Sequence, residues 1–302
     1  MSTYRDLIKN QKISSYLPLF AVAAFALFFV LYSAAAGVSD VASDNLDTEA
    51  EATEFFLRIL WAASAVATAL ASLLVMTVSS SAAAMLLKRR ENILVYVGCS
   101  VLLVPVMLLL SYYDMAGGAG KALINQIDRE LNLHVDMAVE ATMNLTAISI
   151  YFILVGACAI VIKSQNVRDS RALTQCFRQF RISLIATASL LVAGTLNIAA
   201  LYIWASHIPD GEIKVLRVAH GLSLVSGITY SLILLCIYLP ISYILNRRAY
   251  EFLEKEVDIT NAEEVNKWME SRGINDSPIR IAARYLIMAT PFFTSMLVEL
   301  AA

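Results

Sequence analysis

The polar side chains that could do chemistry lie along one segment, residues 137–163, which is otherwise apolar enough to cross a bilayer. At about 3.6 residues per turn, a helix would place them on a single stripe. Its members are Glu140, Asn144, Ala147, Tyr151 and Cys158. Hydrocarbon leaves polar groups unpaired, so such a stripe is expected to face protein or water. We therefore predict that this helix is central and that other helices pack around it.

Two further apolar segments carry polar residues that are predicted to reach the same depth. Asn197 lies in one of them, and His220 lies near the start of the other. With Glu140 and Asn144, they are predicted to share a cavity in the outer half of a helical bundle and to line a path for ions or small polar solutes. The alternative is that Glu140 and His220 lie among lipid headgroups, while the asparagines only bond neighbouring helices.

Motifs that would indicate an enzyme are absent from the sequence. It contains no HExxH, no GxSxG and no Gly-rich phosphate loop. No two of the 3 histidines have the spacing of metal ligands on one helix, and the 4 cysteines are expected to be single packing thiols. We predict a protein that is not an enzyme, with no catalytic residues, no metal site and no cofactor.

The composition indicates a membrane protein. Hydrophobic residues make up 59% of the 302 residues, whereas soluble domains average roughly 45–50%. Mean hydropathy is +0.66. The apolar residues come in long runs, which favours membrane spans over a large soluble core. The net charge of −2 gives no electrostatic case for a nucleic-acid partner.

We predict an all-α fold, a polytopic membrane bundle of six transmembrane helices with short cytoplasmic helices added. The predicted spans are residues 15–38, 55–87, 93–113, 137–163, 182–204 and 218–245. The domain organisation follows from them: a cytoplasmic basic head at 1–14, a six-span transmembrane domain at 15–248, and a cytoplasmic helical tail at 249–302.

The tail ends in a hydrophobic helix whose placement is ambiguous. Its uncharged stretch, residues 285–298, is short for a span and contains Pro291. We predict a helix that lies at the membrane interface or packs against the bundle, with a seventh span as the alternative.

Two stripes of small residues are predicted to mediate close helix packing, because small side chains at four-residue spacing let backbones approach. They are Ala63, Ala67 and Ala71 in the second span, and Ser223, Gly227 and Ser231 in the sixth.

A basic segment at 164–181 is predicted to form the longest internal loop. Four arginines with interleaved phenylalanines suit the inner lipid surface and are candidate lipid-headgroup contacts. They are Arg168, Arg171, Arg178 and Arg181.

The basic residues predict the orientation. With the N-terminus inside, the cytoplasmic segments hold 18 of the 23 Lys and Arg residues. Both termini are then cytoplasmic, in what we predict to be a bacterial inner (plasma) membrane. The expected partners are membrane lipids and either further copies of the chain or another membrane protein.

Continuous helices, few intramembrane charges and one polar stripe favour an oligomeric channel or pore-like protein for ions or small polar solutes. A non-catalytic membrane scaffold or signalling component that presents its cytoplasmic tail is an alternative. A small-solute secondary transporter is a weaker alternative, because such proteins rely on broken helices, and only 11 Gly and 6 Pro are present.

The predicted topology can be tested by labelling single cysteines placed in the loops. Substitutions Asn45→Cys, Gln126→Cys and Gly211→Cys should react with an impermeant maleimide from outside, and Arg90→Cys and Ser170→Cys only from inside. The same reagent applied to permeabilised cells is the control. Labelling of any one position from the opposite side contradicts the topology.

Overall fold

The computed structural model describes residues 26–37, 49–113, 127–128, 135–167, 169–207, 213–256, 262–271 and 278–301. Every regular element formed by these residues is an α-helix. In chain order they are α1 Ala26–Ala35, α2 Glu49–Leu86, α3 Arg89–Tyr113, α4 Val135–Gln165, α5 Ser170–Ser206, α6 Ile213–Glu256, α7 Ala262–Ser271 and α8 Pro278–Ala301. The all-α prediction is confirmed for this part of the chain. The predicted basic head at 1–14 lies outside it.

Four of these helices, α2, α4, α5 and α6, are long and apolar enough to cross a membrane. Among the described residues, α1 is a shorter apolar helix. The finding supports a membrane protein, whereas the count of six spans, and a possible seventh, stays a prediction.

The two ends of the bundle differ in charge. We call the end where α2 begins with Glu49 and Glu51, and α4 with Asp136, the acidic end. The opposite end holds Lys88 in the α2–α3 turn and Lys163 in the last turn of α4, and we call it the basic end.

The predicted loop at 164–181 is mostly helical, so that prediction is wrong. α4 continues to Gln165 and α5 begins at Ser170. Asp169 is the N-cap of α5, where its carboxylate accepts the Arg171 N–H at 3.2 Å. The helix forms this early because the apolar residues among the arginines, such as Phe177, are buried on one of its faces.

The central helix is α5. In the apolar 18-residue stretch of α5, 61% of the residues are buried, whereas in that of α4 only 33% are buried. Helices α2, α4, α6 and α8 all pack against α5. The prediction that residues 137–163 form the central helix is therefore wrong. Buried small residues lie on two opposite sides of α5, Ala186 and Ala193 on one side and Ala188 and Ala199 on the other, and they let neighbours approach from more than one direction.

Among the described residues, three apolar cores hold the helices together. The basic-end core joins α2, α4, α5, α6, α7 and α8 and includes Ile160, Leu173, Phe177, Phe180, Tyr238, Trp268 and Met288. A smaller core joins α2, α3 and α4 and includes Ala83, Val95, Cys99 and Val155. The acidic-end core joins α1, α2, α4 and α5 and includes Tyr32, Trp61, Ala65, Val135 and Trp204.

Helix α8 packs into the bundle beside α6 and α5. A Cβ added at Gly227 of α6 would lie 2.6 Å from Ser295 Cβ and 2.7 Å from the Pro291 carbonyl oxygen, so only glycine permits this approach. One turn further along α6, the Ser231 hydroxyl accepts the Phe292 N–H at 3.1 Å. At the start of α8, the Arg284 guanidinium lies over the Phe180 ring, 5.9 Å from its centroid. Helices α6 and α8 are therefore antiparallel and in close contact.

This contact predicts the effect of enlarging Gly227. Gly227→Ala should destabilise the protein by about 1–3 kcal/mol, because the new methyl group meets the backbone of α8. The matched control is Gly221→Ala on the same helix, where an added Cβ meets no atom within 4 Å. Thermal unfolding in a mild detergent measures both variants. Equal unfolding temperatures for the two variants would contradict the close approach of α6 and α8.

Candidate functional site

The polar stripe of α4 faces outward in its acidic half. Both Glu140 and Asn144 are exposed on the chain. Asn144 lies nine residues into the helix, about 14 Å from its start at a rise of ~1.5 Å per residue. It is flanked by exposed apolar side chains, Met143 at 56% and Ile148 at 49%. An amide and a carboxylate are thus placed on an otherwise apolar outer surface.

In the basic half of α4, the same polar stripe is covered by α3. The Tyr151 hydroxyl donates to the Tyr96 carbonyl oxygen at 3.0 Å and accepts the Ser100 hydroxyl at 3.1 Å. Cys99 is buried between the two helices, whereas Cys158 is exposed. Tyr151 is therefore held by α3, whereas in the acidic half of α4 Glu140 and Asn144 of the polar stripe face outward.

The opposite face of α4 packs against α1 and α2. The Thr142 hydroxyl bonds the Tyr32 hydroxyl at 2.5 Å, and the Ser149 hydroxyl donates to the Ser72 carbonyl oxygen at 3.3 Å. A Cβ added at Gly156 would lie 3.2 Å from the Cα of Ser79, so α2 and α4 are in close backbone contact. This face is fixed by packing, and in the acidic half of α4 the exposed polar residues lie on the opposite face.

Asn197 belongs to a different contact from Asn144. It is half-buried on α5, and its Oδ1 accepts the Ser64 hydroxyl of α2 at 3.2 Å. The side chain of His220 lies outside the described residues. Among the described side chains, neither Glu140 nor Asn144 has a hydrogen bond to Asn197. The structure therefore places Asn197 between two helices and gives no contact that joins it to the outward stripe.

A buried ion pair lies near the acidic end, and the sequence analysis missed it. Arg58 Nε and Glu54 Oε1 are 2.6 Å apart, and their side chains are only 9% and 13% exposed. Trp204 Nε1 donates to the same carboxylate oxygen at 2.6 Å, and the Arg58 guanidinium lies over the Trp204 ring at 5.9 Å. Arg58 Nη1 also reaches the Ala36 carbonyl oxygen at 3.5 Å. The i,i+4 spacing of Glu54 and Arg58 was the available signal, but it also suits an exposed pair.

Aromatic rings extend this ion pair into the acidic-end core. The Trp61 and Trp204 rings are 5.5 Å apart, and Tyr32 meets Trp61 edge to face at 6.3 Å. Trp61 is fully buried, and its indole N–H has no hydrogen-bond partner among the described residues. The cluster ties α1 to α2 and α5 through one carboxylate and three rings, so it is a structural anchor of the acidic end.

One acidic residue caps the exposed start of α4. Asp128 accepts the backbone N–H groups of Val135 at 2.8 Å and Asp136 at 3.2 Å. Burial raises the pKa of the Asp128 carboxyl, and the two backbone hydrogen bonds oppose that rise. The cap fixes the point at which α4 begins, nine residues before Asn144.

The other predicted contact residues occupy several environments. Arg171 and Arg178 are exposed on the first turns of α5 and Arg181 is half-buried, while Arg168 lies outside the described residues. Ala63 and Ala67 are exposed and Ala71 is half-buried; the small residues that α2 buries are instead Ala62, Ala65 and Ala69. Ser223 and Ser231 are buried, and Gly227 contacts α8.

Within the part of the chain that the structure describes, no group of three or more His, Cys, Asp or Glu residues could hold a metal ion. The chain matches no protein-family model, no curated protein and no solved structure.

The buried ion pair predicts a large stability effect at one position. Glu54→Ala leaves the Arg58 guanidinium buried without a counter-charge and should cost about 3–5 kcal/mol. The matched control is Glu49→Ala, because Glu49 is exposed and near the start of the same helix. The double variant Glu54→Leu with Arg58→Met should lose less stability than Glu54→Ala, because no buried charge remains. Chemical unfolding in detergent tests all three, and a loss equal to that of Glu49→Ala would contradict the anchoring role.

Proposed function

We propose that the protein is an oligomeric membrane channel or pore-like protein, and that its polar path lies between copies of the chain along the outward stripe of α4. The observation that carries the proposal is the exposure of Asn144 and Glu140 on a helix apolar enough to cross the membrane. The path would conduct ions or small polar solutes.

The packing of the bundle argues against a path inside one copy. Large side chains fill the described interior: Trp61, Trp204, Tyr238, Phe177 and Phe180 are each at most 2% exposed. A hydrated path requires polar groups beside open space. This filled interior also argues against an alternating-access transporter, which holds its substrate near the mid-depth of the membrane.

The energetics of the stripe favour a partner over lipid. An amide or carboxylate that faces hydrocarbon has no hydrogen-bond partner. Placing it there costs several kcal/mol of free energy, about 2.5–3.5 kcal/mol for a carboxylate at the centre of a membrane helix. A ring of identical copies would turn each stripe toward the same axis, because closed symmetry repeats one surface around a centre. The exposed Met143 and Ile148 beside Asn144 would then supply apolar contact between copies.

The charge at the acidic end supports a preference for cations. Glu49, Glu51, Asp136 and Glu140 are all exposed there. Carboxylates around the mouth of a pore raise the local concentration of cations. Since Glu140 lies one helical turn from Asn144, it would be the charged group closest to the path.

A non-catalytic membrane scaffold is the second candidate function, and the filled interior is the observation that favours it. On α7, Glu263, Glu264 and Lys267 are exposed while Trp268 is buried in the basic-end core. A short helix anchored on one side and charged on the other is suited to contact another protein at the membrane surface.

The channel proposal predicts separable effects on flux and stability. In liposomes, Asn144→Leu should abolish most of the flux while leaving the unfolding temperature near that of the original protein, because the Asn144 side chain is exposed and has no hydrogen bond to another described residue. Glu140→Gln should lower the preference for cations. Asn197→Leu should instead lower stability by about 0.6–2 kcal/mol, because it removes the hydrogen bond to Ser64.

The matched control for Asn144→Leu is Met143→Leu, which keeps an exposed apolar residue next to the stripe. Flux is measured per folded protein, and the oligomeric state is measured in detergent by analytical ultracentrifugation. A monomer without flux, or unchanged flux in Asn144→Leu, would reject the channel and favour the scaffold.

A further inference from the structure

The basic end contains a cavity between the α2–α3 turn and the α4–α5 turn. Its volume is about 720 Å³. The described residues that line it are Lys88, Glu91, Lys163, Gln165, Asn166, Val167, Asp169 and Ala172. Volumes of about 300–1,000 Å³ are typical of sites for small molecules and polar groups.

The two lysines of the cavity have no salt bridge to any described residue. Lys88 is exposed, and Lys163 is half-buried in the last turn of α4. They come from different helical hairpins, so the fold brings two separate ammonium groups to one space. Ammonium groups that are not held in a salt bridge can donate charge-assisted hydrogen bonds to an anionic ligand.

The two carboxylates of the cavity already have partners in the backbone. Glu91 Oε2 accepts the Lys88 N–H at 3.0 Å, and Asp169 Oδ1 accepts the Arg171 N–H at 3.2 Å. The first hydrogen bond caps the start of α3 and the second caps the start of α5. The carboxylates therefore shape the turns, while the ammonium groups of Lys88 and Lys163 remain available to a ligand.

Helix α6 supports the wall of the cavity. Arg248 Nη2 donates to the Gln165 carbonyl oxygen at 3.2 Å, and Arg248 Nη1 lies 2.5 Å from Glu251 Oε2. The end of α4 is thus held in place by a side chain from another membrane helix. A preformed cavity of this kind requires little ordering when a ligand binds.

We propose that this cavity binds the phosphate-bearing headgroup of a phospholipid. Lys88 and Lys163 would donate to the phosphate oxygens, and the Gln165 and Asn166 amides to the remaining polar atoms. Lysine ammonium groups bind phosphate as compact charges that form strong, charge-assisted hydrogen bonds. The site is distinct from the outward stripe of α4 and holds whether or not the protein conducts.

The position of the cavity favours a lipid over a soluble phosphate ester. It lies where the apolar helices α2 and α4 end, and with these helices across a membrane that end would be near the lipid headgroups. Glu91 and Asp169 would also repel a small free ligand with several negative charges. A headgroup held at the membrane surface by its acyl chains does not depend on charge alone.

The test measures binding to the full chain in detergent by native mass spectrometry. The probes are phosphatidylglycerol, phosphatidylethanolamine, diacylglycerol and glycerol 3-phosphate. Both phospholipids should bind in a saturable manner, whereas diacylglycerol, which lacks phosphate, and glycerol 3-phosphate, which lacks acyl chains, should bind at least about tenfold more weakly. If diacylglycerol binds as tightly as the phospholipids, the proposed contact with the phosphate is wrong. If glycerol 3-phosphate binds as tightly as the phospholipids, the proposal that the ligand is a lipid is wrong.

Substitutions locate the binding site. Lys163→Gln and Lys88→Gln should each weaken phospholipid binding about tenfold. Lys267→Gln is the matched control, because Lys267 is exposed on α7 and does not line the cavity. Lys163→Arg keeps the charge and should retain binding, which separates loss of the contact from loss of folding. Phospholipid binding by Lys88→Gln and Lys163→Gln at the level of Lys267→Gln would overturn the proposal.

Discussion

Polar groups on a membrane helix need partners, because hydrocarbon offers them none, and the packing of this bundle depends on how that need is met. Most hydroxyls on the apolar helices donate to a carbonyl of the preceding turn: Thr68 to Ser64 at 2.9 Å, Thr142 to Ala138 at 2.8 Å and Thr195 to Leu191 at 2.8 Å. The hydrogen bonds of these hydroxyls are made within their own helix, and the side chains are small enough for neighbouring backbones to come close. They therefore build contacts between helices without creating a hydrated space.

Three sets of charged or amide side chains depart from this pattern, and they are the sets that bear on stability or on the proposed functions. Glu54 and Arg58 are charged and buried, and they meet the constraint by pairing with each other and with Trp204. Glu140 and Asn144 do not meet it inside the described chain, since both are exposed. Lys88 and Lys163 lie at the basic end without an acidic partner among the described residues. The first set explains stability, and the other two are the groups on which the proposed channel and the proposed phospholipid site rest.

The positions of the helices could be predicted from the sequence, whereas the way the helices pack against each other could not. Long apolar runs located α2 to α6, but they could not show that α5, with its small residues on two opposite sides, collects more contacts than α4 with its polar stripe. Asn144 and Asn197 looked equivalent in the sequence, yet one faces outward and the other bonds Ser64. The direction in which a polar residue points depends on which helices surround it, and hydropathy and spacing do not contain that information. Turns were also misjudged, because burial of Phe177 and Phe180 extends α5 into the basic segment.

The close approach of α8 to Gly227 has a consequence for how the protein is made. Helix α6 precedes α8 in the chain, so the face carrying Ser223, Gly227 and Ser231 contacts lipid or another protein until α8 has packed against it. Small residues bury little area against lipid, so this face contributes little until α8 covers it. This part of the bundle is therefore complete only when α8, the last of the described helices, packs against α6, with the short α7 between them in the chain. During that interval, the uncovered face of α6 is the surface that a membrane chaperone or a quality-control protease could recognise.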